Sequence, residues 1–342
     1  MSAVPRDPLA PYRTRQALKR AITHFFDGRD YLEIDTPILV VSPGTEVHLG
    51  YFATEWSDHY GEAYPMFLRS SPELHLKQLL AQGVKKVWNL SKCFRNHGEH
   101  AHWHHPEFTM LEWYEAGISF EGFMKQTEEL IRFVTKELKE FEPQLVLPRT
   151  IPKMSVSEAF KEFAGITLVD EDDTLARTAI AKKVLSVKAD DDFETAFFKI
   201  LLEKIEPGLK ALKAVFLYDY PASQAALSTI DGIVAKRFEL YVNGIELCNA
   251  FHELTDPREN VSRIKKAQRM RAALQKVPVP DDEEFYEALQ HGIPASCGNA
   301  LGFDRLLALL MGDPGLDRAV PFRTMHPYKP RARKKARKPT VR

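Results

Sequence analysis

Apolar positions along the chain follow two rhythms, one helical and one alternating. Residues 13–28 repeat at helical spacing, with Ala17, Ala21, Ile22, Phe25 and Phe26 on one face and Gly28 closing the run. Tyr31-Leu32-Glu33-Ile34-Asp35-Thr36-Pro37 predicts a short strand that stops at its proline. Ser71-Pro72-Glu73 predicts a helix start, with Ser71 at the N-cap, Pro72 at the first helical position and Glu73 at the positive end of the dipole. That helix runs through Leu76, Leu79 and Leu80 to Gly83. Val87–Leu90 continues toward Phe94 as a strand, and Phe108–Tyr114 alternates as another, so the two are expected to pair antiparallel across the polar loop between them. Residues 120–140 have helical spacing. Residues 150–213 are charged and mostly helical, with acidic runs at 170–173 and 190–192. They read as an insertion, because strands of the earlier style resume at Val215–Tyr218 and Phe238–Val242. Asn243-Gly244 is the strongest hairpin signal in the chain and returns it through Ile245–Leu254. A basic helix over 259–275 follows, and Gly298-Asn299-Ala300-Leu301-Gly302 leads into a last helix near Asp304. The whole predicts one α+β domain over residues 13–327, an antiparallel sheet flanked by helices, with a short extension over 1–12 and a tail over 328–342.

Charge changes this picture only at the tail. The 342 residues carry 47 basic and 47 acidic groups, but Lys329–Arg342 holds eight of the basic ones and no acid. The body is therefore acidic, which argues against a general nucleic-acid binder. The tail is either a solvated, disordered segment or a contact for RNA or an acidic protein. Mean hydropathy is −0.31, and no run of about 18 apolar residues exists to cross a membrane. The first twelve residues are proline-rich without an apolar leader core. Cys93, Cys248 and Cys297 lie too far apart for a disulfide framework or a zinc motif. These features together point to the cytoplasm.

Four groups of residues suggest chemistry. A two-residue hairpin loop at Asn243-Gly244 sets Tyr241 opposite Glu246, with Glu239 on the same face. The two carboxylates are then diagonal neighbours about 7–8 Å apart at the backbone. They either share a Mg²⁺ with substrate phosphates or are ordinary acids on a wet sheet face. Phe108, Met110, Glu112 and Tyr114 share one face of their strand. That face offers a ring to stack on a base and an anion and a phenol for an amine, unless it simply faces water. Arg95 could hold phosphate oxygens bidentately, and Arg305 could do the same at the junction into the last helix; the alternatives are a surface arginine and an ion pair. The loop with His97, His100, His102, His104 and His105, together with Glu99 and Trp103, has no known ligand spacing; it reads as a mobile lid over a nucleotide, with a structural metal site as the alternative.

In this order the motifs resemble the class II aminoacyl-tRNA synthetases. Tyr31–Pro37 is similar to their first motif, Phe94-Arg95-Asn96 with Pro106-Glu107-Phe108-Thr109 to the second, and Gly302-Phe303-Asp304-Arg305 to the third. Ser71-Pro72-Glu73, Phe238-Glu239, Gly244-Ile245-Glu246-Leu247 and Asn249-Ala250-Phe251-His252-Glu253-Leu254 resemble the lysine-specific branch. A truncated offshoot of that branch, the (R)-β-lysine ligases of elongation factor P, looks closer still. The domain starts near residue 13, with no room before it for an anticodon-binding OB-fold. Tyr220-Pro221-Ala222-Ser223-Gln224-Ala225 resembles the offshoot's own signature, and Ala300 stands where the synthetases have glycine.

The resemblance implies ATP-dependent activation of lysine or (R)-β-lysine as an adenylate, and transfer to a lysine of elongation factor P. It implies ATP and Mg²⁺, a homodimer supported by Phe25, Phe26 and Ile34, and no tRNA. A tRNA-charging or other-acceptor ligase and a non-catalytic lysine or nucleotide sensor are the alternatives. The catalytic residues it implies are Arg95, Glu246 and Arg305. Arg95 would hold the α-phosphate and substrate carboxylate, Phe108 would stack on adenine, and Arg305 would cover the base or the γ-phosphate. Asn96, His97, His105, Leu247 and Gly302 would complete the ATP site, and Glu239 and Glu246 would hold Mg²⁺. Ser71, Pro72, Glu73, Glu112, Tyr114, Asn249, Glu253 and Ala300 would surround the amino acid. The chain departs from the pattern at His97, where glutamate is usual, at His105, where asparagine is usual, and at Ala250, where glycine is usual; the second-motif loop is also one residue longer.

Overall fold

The first helix, α1 (Ala10–Asp27), begins three residues before its apolar repeat, because Pro11 is compatible with a first helical turn. In the computed structural model, which describes residues 7, 9–97, 102–320 and 322, its apolar stripe is buried at Ala21, Ile22, Phe25 and Phe26 and half-buried at Ala17. Phe26 stacks on Trp88 at 5.0 Å between ring centroids. Phe25 and Phe26 are fully buried within the subunit, so they are core residues and not the dimer-supporting surface expected of them. The tail and most of the N-terminal extension lie outside the described residues.

The strand expected over 31–37 is only β1 (Leu32–Glu33). A small sheet unforeseen in the sequence follows, formed by β2 (Leu39–Val40), β3 (Phe52–Ser57) and β4 (Ala63–Leu68) in the order β2-β4-β3. Helix α2 (Glu73–Ala81) starts one residue later than expected. Pro72 is its N-cap, and Ser71 Oγ still accepts the Glu73 N–H at 2.9 Å. Strands β5 (Lys86–Phe94) and β6 (Glu107–Ala116) pair antiparallel as expected, and α3 (Phe120–Glu137) follows with Ser119 as its cap.

The helical insertion opens with a strand of the main sheet, β7 (Lys153–Ser155). It continues through α4 (Val156–Ala159), α5 (Leu175–Ala181), α6 (Phe193–Ile200) and α7 (Glu206–Leu209). The sheet resumes with β8 (Ala214–Pro221), β9 (Ile230–Asp231), β10 (Val234–Val242) and β11 (Ile245–His252). Asn243 and Gly244 both have positive φ, 52° and 78°, which is what a two-residue hairpin between right-twisted strands requires. After α8 (Pro257–Ala273) and an unforeseen α9 (Glu283–His291), the chain ends its described fold with β12 (Ser296–Gly302) and α10 (Phe303–Met311).

The main sheet runs β1-β5-β6-β12-β11-β10-β8-β7, with β9 beside β10. It is antiparallel through the middle and parallel at both ends, where β1 joins β5 and β7 joins β8. One face packs on α1, α3 and α10 through residues such as Trp113, Leu240, Ala250 and Leu301. The insertion packs over the β8–β10 end of the opposite face with its own core of Phe160, Phe197 and Ile200 against Leu217 and Tyr241. Helices α2, α8 and α9 pack at the other end, around Leu76, Leu80 and Phe285. The middle of that face is left open.

Candidate active site

The opening is a cleft of about 1920 Å³ over β6, β12, β11 and β10. Pockets for one drug-sized ligand are about 300–1,000 Å³, so this one has room for two substrates. Strand alternation puts Phe108, Met110, Glu112 and Tyr114 in the cleft, while Leu111 and Trp113 enter the core behind it. Phe108 is half-buried at the mouth of this face, and the rest is not a wet surface: Glu112 is 1% exposed and Tyr114 4%.

One end of the cleft is acidic. Ser71 Oγ donates to Glu112 Oε1 at 2.7 Å, and Tyr114 Oη donates to Glu112 Oε2 at 3.3 Å. Glu73 and Glu253 line the same end, and the buried Lys77 ammonium lies 2.6 Å from each of them. Ala300 sits in the ladder between Glu112 and Asn249 and forms part of the lining. Gly298 lies opposite Tyr114, and a Cβ there would overlap the Tyr114 ring and the Glu253 carboxylate. Ser71, Glu73, Glu112, Tyr114, Asn249, Glu253 and Ala300 therefore meet at one cavity, as expected, but Pro72 only shapes the turn and does not reach it.

Burial pushes Glu112 up to about 8, which the Ser71 hydroxyl only partly opposes. Burial likewise raises Glu253 to about 7, against the pull of Lys77. Folding therefore retains protons that the unfolded chain has released. The stability these groups contribute is complete below about 4.5 and is lost as pH rises through 7 and 8, at about 1.4 kcal/mol per pH unit for each group. Urea unfolding of the wild type and of Glu112→Gln at pH 5, 6, 7 and 8 should show the wild type losing ground to the variant at each step. A gap that is the same at every pH would mean that Glu112 does not titrate in this range.

The other end carries the arginines. Arg95 leaves β5 and stands with its guanidinium 5.2 Å from the Phe108 ring centroid. Its Nε is buried and meets no acceptor among the described residues. Arg305 Nη1 donates to the Glu246 carbonyl at 2.6 Å and lies 3.5 Å from its carboxylate, while Nη2 is 3.0 Å from His104 Nε2. The positions of Phe108 and Arg305 are tied together from behind. Asp304 accepts the Thr109 N–H at 2.6 Å and pairs with Arg15 at 2.5 Å, and Arg15 also donates to Thr109 Oγ1. Asn96, His97, His105, Leu247 and Gly302 all line the cleft. His97 adopts a left-handed φ of 54°, and Leu247 is the extra residue of a bulge opposite Leu240 and Tyr241. Glu99 and His100 lie outside the described residues.

Glu239 and Glu246 share a face as the hairpin register demands, and Tyr241 lies opposite Glu246. Their mutual repulsion is met by arginines: Arg237 pairs with Glu239 at 2.7 Å and Arg305 with Glu246. Tyr241 Oη also donates to Glu239, at 2.9 Å. Burial and then Glu246 push Glu239 upward, and Arg237 opposes them. Glu206, on α7 of the insertion, is raised to about 7 by burial and by both of these carboxylates. The donor set fits a hard cation. Two carboxylates face one space, and beside them Asn249 Oδ1 is buried with no hydrogen-bond donor among the described residues. Among the described residues no group of three His, Cys, Asp or Glu is arranged to hold a metal by itself, so such a cation would rely on substrate oxygens as well.

Sequence reasoning missed Glu206, Arg237, Lys77 and Gly298. Arg237 had a usable signal, since alternation places it on the same strand face as Glu239. Lys77 is one helical turn from Glu73 and was equally legible. Glu206 reaches the site only through the packing of the insertion, and the crowding at Gly298 only through the sheet register.

Residues 8–326 match the family model described as tRNA synthetases class II (D, K and N). A protein named elongation factor P--(R)-beta-lysine ligase from Vibrio cholerae is 35% identical over 327 residues, covering 93% of this chain and 97% of its own. Proteins of the same name from Vibrio atlanticus and Edwardsiella ictaluri are 37% and 36% identical, each over 93% of this chain and over 97% and 96% of their own.

Proposed function

Because the chain belongs to the class II tRNA synthetases of the D, K and N group and is an ATP-dependent ligase, we propose that it activates (R)-β-lysine, or lysine, as an adenylate and transfers it to elongation factor P. One observation carries this reading. A single cleft has three carboxylates and a phenol at one end and, at the other, an arginine whose buried Nε–H meets no acceptor among the described residues. The acidic end suits a substrate with two ammonium groups, since an unpaired ammonium in such a pocket is costly. The basic end suits a carboxylate meeting a phosphate.

In the first half-reaction a carboxylate oxygen of the amino acid attacks the α-phosphorus of ATP. The bond to pyrophosphate breaks, and a mixed anhydride with AMP forms. Arg95 holds the substrate carboxylate and α-phosphate together and stabilises the charge that develops between them. Phe108 offers its ring to the adenine, and Arg305 holds the distal phosphates or the second face of the base. Glu239 and Glu246 would hold Mg²⁺, with Asn249 beside them; when bound, the ion neutralises phosphate charge. In the second half-reaction the ε-amine of a protein lysine attacks the anhydride carbonyl, AMP leaves and an amide forms. Reaching the neutral amine at pH 7 costs roughly 4–5 kcal/mol from a free pKa of about 10.4.

Exchange of labelled pyrophosphate into ATP tests the first step. It should depend on one lysine isomer and be absent with norleucine, which lacks the terminal amine. Exchange supported equally by norleucine would exclude a diamino acid as the substrate.

The apolar side chains that support a homodimer are those the subunit leaves exposed beside β1 and β2, namely Leu32, Ile38, Leu39 and Val41. No helix of the described residues is long and apolar enough to cross a membrane.

A further inference from the structure

Lys77 touches no part of the cleft, yet it contacts two of the residues that line it. It is 1% exposed and lies one turn along α2 from Glu73. Its ammonium is 2.6 Å from Glu73 Oε1 and 2.6 Å from Glu253 Oε2, so it bridges α2 to the chain just beyond β11. A buried ion pair of this kind is weak evidence for stability, because an apolar replacement of similar size is often neutral or better. Its consequence here is a charge count. A substrate with two ammonium groups draws Glu112 and Glu253 into their ionised forms against the upward push of burial. Glu73, Glu112 and Glu253 then bring three negative charges to the acidic end, and Lys77 removes one. Burial pulls the Lys77 ammonium down, but Glu253 and Glu73 together outweigh this and hold it charged. Lys77 in turn limits the rise of Glu253.

We propose that Lys77 is a positioning residue that sets the net charge of the amine pocket at two negative, and so fixes its preference for an amino acid with two ammonium groups over one with a single ammonium. The inference rests on the reading of the cleft as a diamino-acid site. With Lys77 in place, the ionised pocket and a doubly cationic substrate end cancel. Without it, a doubly cationic substrate end meets three buried carboxylates, and the carboxylate left without a counter-charge penalises the bound state.

The test is amino-acid-dependent ATP–pyrophosphate exchange between pH 6 and 9, with the preferred lysine isomer and with norleucine. Lys77→Met should raise the KM for the diamino acid at least tenfold, leave the KM for ATP within about twofold, and move the rising limb of kcat/KM to higher pH. Equal changes in both KM values with an unmoved pH profile would mean that Lys77 only holds α2 in place, and the proposal would fail. A second comparison does not depend on the folding of that variant. Glu73→Gln alone leaves one net negative charge, whereas Glu73→Gln with Lys77→Met restores two. The double variant should therefore prefer the diamino acid over norleucine more strongly than Glu73→Gln does. A double variant no better than the single one would overturn the charge-count account. Wild-type protein showing no diamine-dependent exchange would instead remove the reading of the cleft on which the proposal stands.

Discussion

Arg95→Ala should abolish most amino-acid-dependent ATP–pyrophosphate exchange, lowering kcat by about 10³-fold, the usual scale for losing a donor aimed at developing charge. Among the described residues the Arg95 guanidinium makes a ring contact with Phe108 but no side-chain hydrogen bond that the fold depends on. The Arg95 backbone N–H donates to the Pro106 carbonyl at 2.9 Å, the side chain rests over the Phe108 ring, and the buried Nε has no acceptor among the described residues. The substitution should therefore cost little stability, and the thermal midpoint should stay close to that of the wild type. Arg95→Lys keeps the charge but lacks the planar fork, and should recover only a small part of the loss. Steady-state exchange at saturating ATP and amino acid, read beside a thermal melt, checks both halves. A rate within tenfold of the wild type would mean that another group holds the α-phosphate.

Gly298→Ala should have the second-largest effect, and for a steric reason. Gly298 lies in β12 opposite Tyr114 on one side and Phe251 on the other. Its backbone is not in the left-handed region, so alanine meets no conformational penalty there. What the methyl meets is the edge of the Tyr114 ring and the Glu253 carboxylate, both closer than van der Waals contact allows. Both groups sit at or below 4% exposure with nowhere to retreat. Overpacking of this kind costs about 1–3 kcal/mol of stability. The functional cost should be larger, because the displaced groups are those proposed to receive the substrate amines. We expect kcat/KM for the amino acid to fall at least a hundredfold while the KM for ATP stays within about threefold. An unchanged KM for the amino acid would show that the amines bind elsewhere in the cleft.

Long periodic elements were legible in the sequence and short or composite ones were not. Turn chemistry set Tyr241 opposite Glu246 at the Asn243-Gly244 hairpin as expected, with Glu239 on the same face; the bulge at Leu247, which the turn does not announce, then shifts the register and places Asn249 opposite Glu239. The alternation in β6 likewise separated cleft from core. The small sheet escaped notice because β2 has two residues and β4 is interrupted by Pro65 within its exposed first half, so neither presents a clean alternation. The mixed ends of the main sheet arise from β1 and β7, also too short to read. Phe25 and Phe26 show the limit of a helical stripe, which tells that a face is buried but not what covers it. Here the cover is α3 and Trp88, not a second subunit. Roles assigned to Glu239 and Glu246 came from their spacing; Arg237 beside Glu239 on β10 was legible by alternation, but the pairing of Arg305 from α10 with Glu246 needed the fold to be seen.

The central claim is that this cleft makes an amide between a lysine isomer and a protein. The intact mass of recombinant elongation factor P tests it most directly, after incubation with this protein, ATP and Mg²⁺ and with lysine or (R)-β-lysine in separate reactions. We expect a gain of one lysyl unit in the reaction with the preferred isomer, dependent on ATP and lost with Arg95→Ala. An unchanged mass with both isomers, under conditions where pyrophosphate exchange is active, would contradict elongation factor P as the acceptor.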